Sequence, residues 1–179
     1  MTYNEMEKKV LSLIEETMDD PDIAAKIVEV TNQVMFELAR FRKIPKYIDI
    51  EVNEGDVITF DDIEAQSQYA VYQVDSISGV GYKTRADGTV FKATESGVME
   101  IDFFAFPERI TDKNKNNYEF ELSQDALEIM PYGIASDLLK SDESAEYGAV
   151  YEKKYKELKG SMDSRNQMAG FVVEGGFRI

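Results

Sequence analysis

The sequence predicts an α+β protein: a helical bundle formed by N-terminal and C-terminal helix pairs, with an inserted antiparallel β-rich subdomain. Three observations carry this. Apolar residues recur at helical spacing over 1–46 and again over 123–163. Between them, 47–122 alternates apolar and polar residues in short runs separated by turn signals. A helix pair of a few turns cannot bury its apolar stripe alone, so the two pairs are expected to pack together. The expected organisation is therefore N-terminal helices at 1–46, an acidic β-rich insert at 47–122, a C-terminal hairpin at 123–163 and a tail at 164–179.

In the first helix Asn4 reads as the cap, with Glu7 three residues on in a capping-box pattern. Met6, Val10, Leu13, Ile14 and Met18 form its stripe. Asp20-Pro21 is the next start signal, since proline suits the first helical position. Ile23, Ile27, Val30, Val34, Leu38 and Phe41 follow. Arg40, Arg42 and Lys43 then oppose the negative end of the helix dipole, ahead of Pro45.

The insert opens with Tyr47–Val52, whose alternation is that of a half-buried strand. Asn53-Glu54-Gly55 reads as a turn, and Val57–Phe60 and Tyr69–Val74 as further strands. Asp87-Gly88 is a hairpin signal. Val98–Phe106 is the longest apolar strand, and Tyr118–Leu122 closes the region. Such spacing predicts a small sandwich or barrel-like sheet.

In the C-terminal part Ser123 reads as a cap. Pro131 reads as the first position of a helix, with Leu127–Met130 as a separate preceding turn. Ser141-Asp142 starts the last helix, with Tyr147, Tyr151, Tyr155 and Leu158 as its stripe and Gly160 as its end. In the tail, Phe171, Val172 and Val173 make one β-prone run between glycines, suited either to β-augmentation of a neighbouring subunit or to a frayed end.

Composition narrows the function classes. The 179 residues include no cysteine and no histidine, which excludes disulfides, thiolate nucleophiles and Cys/His zinc sites and removes the commonest general base. A non-enzymatic role without cofactors is the expectation. Asp112, Asn114 and Asn116 open like an EF-hand loop, but Asn117 stands where glycine is required and Ser123 where a bidentate glutamate is required. The cluster Asp61, Asp62, Glu64 could hold a hard cation, though exposed loop acids account for it as well. No window is apolar enough to span a bilayer and the N-terminus lacks a signal-peptide core, so synthesis inside the cell is expected. A net charge of −15 argues against a surface that grips nucleic acid. With 16 acids against 6 bases, 47–122 holds most of that charge.

Residues from Ala126 onward, ALEIMPYGIASDLLKSDESAEYGAVYEKKYKELKGSMDS, resemble the C-terminal helical hairpin of tailed-bacteriophage head–tail connector (adaptor or neck) proteins. The matching elements are Met130-Pro131-Tyr132, the run Ile134–Leu139, the acidic connector Ser141-Asp142-Glu143 and the Tyr-rich helix Tyr147–Lys159. VTNQVMFELARFRKIPKY, Val30–Tyr47, is similar to the helix that precedes a β-rich insertion in such proteins. The resemblance implies a structural virion protein at the head–tail junction, made in the bacterial host cytoplasm. It implies a homo-oligomer, as a dodecameric ring, docked on the portal protein. That ring would carry a stopper or tail protein, and DNA would pass its channel without sequence-specific binding. Arg40, Arg42, Lys43, Tyr147, Tyr151, Tyr155, Phe171, Val172 and Val173 are the candidate interface residues. A soluble acidic protein-binding module and another neck or tail-completion (stopper) protein are the competing readings.

Overall fold

The computed structural model describes residues 1–15, 21–85, 87–140 and 145–169 (163–169 as backbone alone). The chain is a mixed α+β fold. Helices from its two ends pack together, and an antiparallel β-rich segment is inserted between them in sequence. One compact unit comprises Met1–Phe41 and the chain from Ile110 onward; the other is Arg42–Arg109. No helix among the described residues is long and apolar enough to cross a membrane.

The first unit holds α1 (Tyr3–Ile14), α2 (Pro21–Phe41), α4 (Gln124–Leu139) and α5 (Ala145–Ala169). The cap of α1 is Thr2 rather than Asn4, and its box partner is Glu5. Thr2 Oγ1 accepts from Glu5 N at 3.3 Å, and Thr2 N donates to the Glu5 carboxylate at 2.8 Å. This register buries Tyr3, Met6 and Val10 and lets Tyr3 N donate to the Tyr118 carbonyl. Met18 and Asp20 lie outside the described residues. Pro21 does open α2, and Ile23, Ile27, Val34 and Leu38 are buried as the stripe predicts.

Helix α4 runs unbroken from Gln124 to Leu139 with Pro131 inside it, so the expected boundary at Pro131 is absent. An interior proline removes one helical donor and crowds the carbonyl four residues back, here that of Leu127. Burial outweighs that cost: eleven residues of α4 are buried, Pro131 among them. A helix apolar over most of its surface belongs at the centre of a bundle, and α4 packs against α1, α2 and α5. Two glycines allow close approach. A Cβ on Gly133 would stand 3.0 Å from the Tyr155 ring and 3.0 Å from Val34, and one on Gly148 would stand 3.2 Å from Leu139 Cβ. Because Gly148 meets Leu139 while Tyr155 meets Gly133, α4 and α5 run antiparallel. Gly160 does not end α5, which continues to Ala169. Ser141 and Asp142 lie outside the described residues.

The segment 110–122 packs with the helices and does not close the insert. Tyr118, Phe120 and Leu122 are buried, yet the run forms only one bridge, Glu119 with Thr2. Asn32 on α2 donates to the Ile110 carbonyl at 2.9 Å and accepts from Ile110 N at 2.8 Å, both bonds buried.

The second unit contains two three-stranded antiparallel sheets. One has the order β1-β6-β3, from Ile44–Val52, Gly97–Ala105 and Val71–Ser78. The other has the order β2-β5-β4, from Val57–Thr59, Val90–Ala93 and Tyr82–Thr84. Residues of both sheets, including Ile50, Met99, Ile101, Phe103, Ile58 and Phe91, build one core. The hairpin expected at Asp87-Gly88 joins β4 and β5. Helix α3 (Phe60–Ser67) replaces the loop expected after Val57–Phe60 and buries Ile63 in the core.

Candidate functional site

The site is built on the outward face of the β1-β6-β3 sheet. Strand alternation places Ile50, Val52, Met99, Ile101 and Phe103 inward and Tyr47, Asp49, Glu51, Glu100 and Asp102 outward. The register sets Asp49 directly opposite Glu100, and Tyr47 opposite Asp102. Like charges in direct cross-strand apposition are destabilising, so this face carries an electrostatic strain that folding alone does not need. Part of it is relieved by hydroxyls. Ser76 Oγ donates to Asp102 at 2.7 Å, Ser78 Oγ donates to Glu100 at 2.7 Å, and the Tyr47 hydroxyl donates to Asp49. That hydrogen bond, with the charges of Asp49, Glu100 and Asp102 behind it, pushes the Tyr47 phenol up to about 12.

Much of the chain's negative charge lies outside this unit. The unit Arg42–Arg109 holds 13 acids against 7 bases, so −9 of the −15 lies elsewhere in the chain. Residues 110–122, counted with the insert on sequence, bring their acids to the helical unit.

The predicted interface residues are dispersed. Arg40 is exposed near the end of α2. Arg42 and Lys43 belong to the second unit. Lys43 donates to Gln73 at 3.0 Å and sits 4.5 Å from the Phe104 ring centroid, closing one end of the acidic face. The tyrosines of α5 do not share one environment. Tyr147 is 69 % exposed, whereas Tyr155 is 7 % exposed. The half-buried Tyr151 donates its hydroxyl to the Leu13 carbonyl. The packed face of α5 instead runs through Gly148, Tyr151, Tyr155 and Met162. Phe171, Val172 and Val173 lie outside the described residues.

A cleft of about 210 Å³ opens on the helical unit beside Tyr155. Its six charged residues pair among themselves: Lys159 with Glu37, Lys140 with Asp137, and Lys156 with Glu152 at 2.8 Å. Burial and the Glu37 carboxylate push the Tyr155 phenol up, and its hydroxyl makes no hydrogen bond. The volume is below the ordinary range for small-molecule sites, and the charges are already compensated.

The metal candidates are used structurally. Asp112 pairs with Lys115 at 2.9 Å, and Asn114 Oδ1 accepts from Thr111 N at 2.7 Å. Asp62 is the third residue of the α3 capping box, and Glu64 accepts from Val71 N at 2.7 Å. Sequence reasoning missed α3, although Thr59-Phe60-Asp61-Asp62 carries a capping-box pattern. Among the described residues no group of three or more carboxylates is placed to hold a metal ion.

No protein-family model matches the chain, and no curated protein matches it.

Proposed function

We propose that this chain is a structural subunit of a tailed-bacteriophage head–tail connector: an adaptor that docks on the portal and forms part of the DNA channel and tail attachment platform. The observation that carries the reading is the helical bundle closed by both ends of the chain with an antiparallel sheet inserted between them. That is the architecture implied by the resemblance at Val30–Tyr47 and from Ala126 onward. The role is structural and calls on no cofactor. An acidic surface suits it, because a basic one would hold passing DNA through counterion release.

A second reading is an acidic protein-binding module, favoured by the apposition of Asp49 and Glu100 on an exposed sheet face. Co-sedimentation with a tailed-phage portal protein from the same source as this chain separates the two. The connector reading expects the protein to travel with the portal ring in near-equal copy number. A binding module would leave the ring unaccompanied at every salt concentration.

A further inference from the structure

We propose that the outer edge of β1 is a docking strand for an extended partner segment bearing lysine or arginine at alternate positions, which adds to the sheet beside Ile44–Val52. The inference concerns the free protein and stands independently of the connector reading.

The first ground is the backbone. β1 ends the order β1-β6-β3, and no strand of the described residues pairs with its other side. An edge strand presents a row of unpaired N–H and C=O groups, and proteins commonly shorten or distort such edges. Three of the four edges here are treated that way. β2 and β4 are three residues long. β3 shifts register between Val71 and Gln73 and again between Val74 and Ser76, and Glu64 takes the Val71 N–H. β1 differs: its nine residues pair in unbroken register with β6, from Ile44 with Ala105 to Val52 with Gly97. Pro45 lacks a donor at one end only. The edge is about 30 Å long at the usual rise per residue.

The second ground is charge. A strand added beside β1 would place side chains about 5 Å from Asp49 and Glu51, with Glu100 on the next strand in reach of a long cation. The outward row Tyr47, Asp49, Glu51, Glu100, Asp102 carries no base, and Lys43 is engaged with Gln73 and Phe104. Lysine or arginine opposite Asp49 and Glu51 would offset the apposed Asp49 and Glu100 charges. Residues at the intervening positions would face the side of Ile48 and Ile50, where apolar side chains fit. A second copy of the chain is disfavoured at this edge, since each copy is −15 and would bring its own acidic face.

Hydrogen exchange with a nine-residue peptide of alternating lysine and valine, at 150 mM salt, tests the proposal. Three controls accompany it: a peptide with proline at its centre, a glutamate–valine peptide, and the D49K/E51K variant checked for folding by circular dichroism. The expected result is at least tenfold slower exchange within Ile44–Val52 and no change in β3. The proline and glutamate peptides should bind at least tenfold more weakly, as should the lysine peptide to the variant. Equal binding of the proline peptide, or binding that leaves β1 exchange unchanged, would overturn it in favour of diffuse charge attraction. A free protein that is already a dimer with β1 protected would overturn it in favour of a second copy. The peptide comparison on the unaltered protein decides the matter even if D49K/E51K does not fold.

Discussion

Asn32 and Ile110 exchange two buried hydrogen bonds across 78 residues of chain. The side-chain amide of a helix thereby satisfies both backbone groups of the residue at which the chain returns from its insert. Asn32→Ala removes both bonds and leaves the Ile110 N–H and C=O buried without partners. A loss of about 2–4 kcal/mol is expected, read as a lower urea midpoint with an unchanged slope.

Two glycines in the helical unit should respond oppositely to alanine. At Gly133 the added methyl meets the Tyr155 ring and Val34, each at 3.0 Å. Overpacking of this kind costs about 1–3 kcal/mol. At Gly160, inside α5, nothing lies within 4 Å. Gly160→Ala should stabilise by about 0.5–1 kcal/mol, the ordinary helix-propensity gain. Thermal melts of the two variants check both signs.

The α3 cap gives a pH-dependent term. Hydrogen bonds from the Thr59 side chain and backbone hold the Asp62 carboxyl below its usual value. Its contribution is complete above the unfolded-state value near 4 and disappears as pH falls through the lower folded value. Thr59→Ala should cost about 1 kcal/mol at pH 7 and less at pH 3. Stability curves of the variant and wild type should converge on acidification.

On the acidic face, Tyr47 should ionise near pH 12 because its hydroxyl donates to Asp49 with further carboxylates nearby. The difference in phenolate absorbance between wild type and Y47F isolates its titration. Asp49→Asn should move that difference down toward pH 10. A raised folded value means the stability tied to this contact is complete below about pH 10 and fades as pH rises toward the folded value.

Where burial is one-sided the sequence was readable. Tyr47–Val52 and Val98–Phe106 alternate, and both became strands with their apolar residues inward. Alternation reports burial, however, and not pairing: Tyr118, Phe120 and Leu122 alternate inward without forming a strand. α4 departs from expectation because a helix buried over most of its surface has only a weak polar face to set its period, so Pro131 reads as a boundary. α3 was hidden by its length, with Ile63 its one buried residue. On α5 the aromatic spacing found the packed positions Tyr151 and Tyr155 but not the first turn, where Gly148 packs and Tyr147 stays in solvent. The acidic face was legible only as composition, because the apposition of Asp49 and Glu100 depends on strand register. Asn32 left one faint signal, a polar residue inside an apolar helical stripe.

Electron microscopy of the protein incubated with a portal ring from the same source tests the connector reading most directly. The account predicts an added ring of density on the portal, one copy per portal subunit, built from helical units with their inserted sheets. Portal rings that remain bare at every protein and salt concentration, with the protein itself folded, would contradict it.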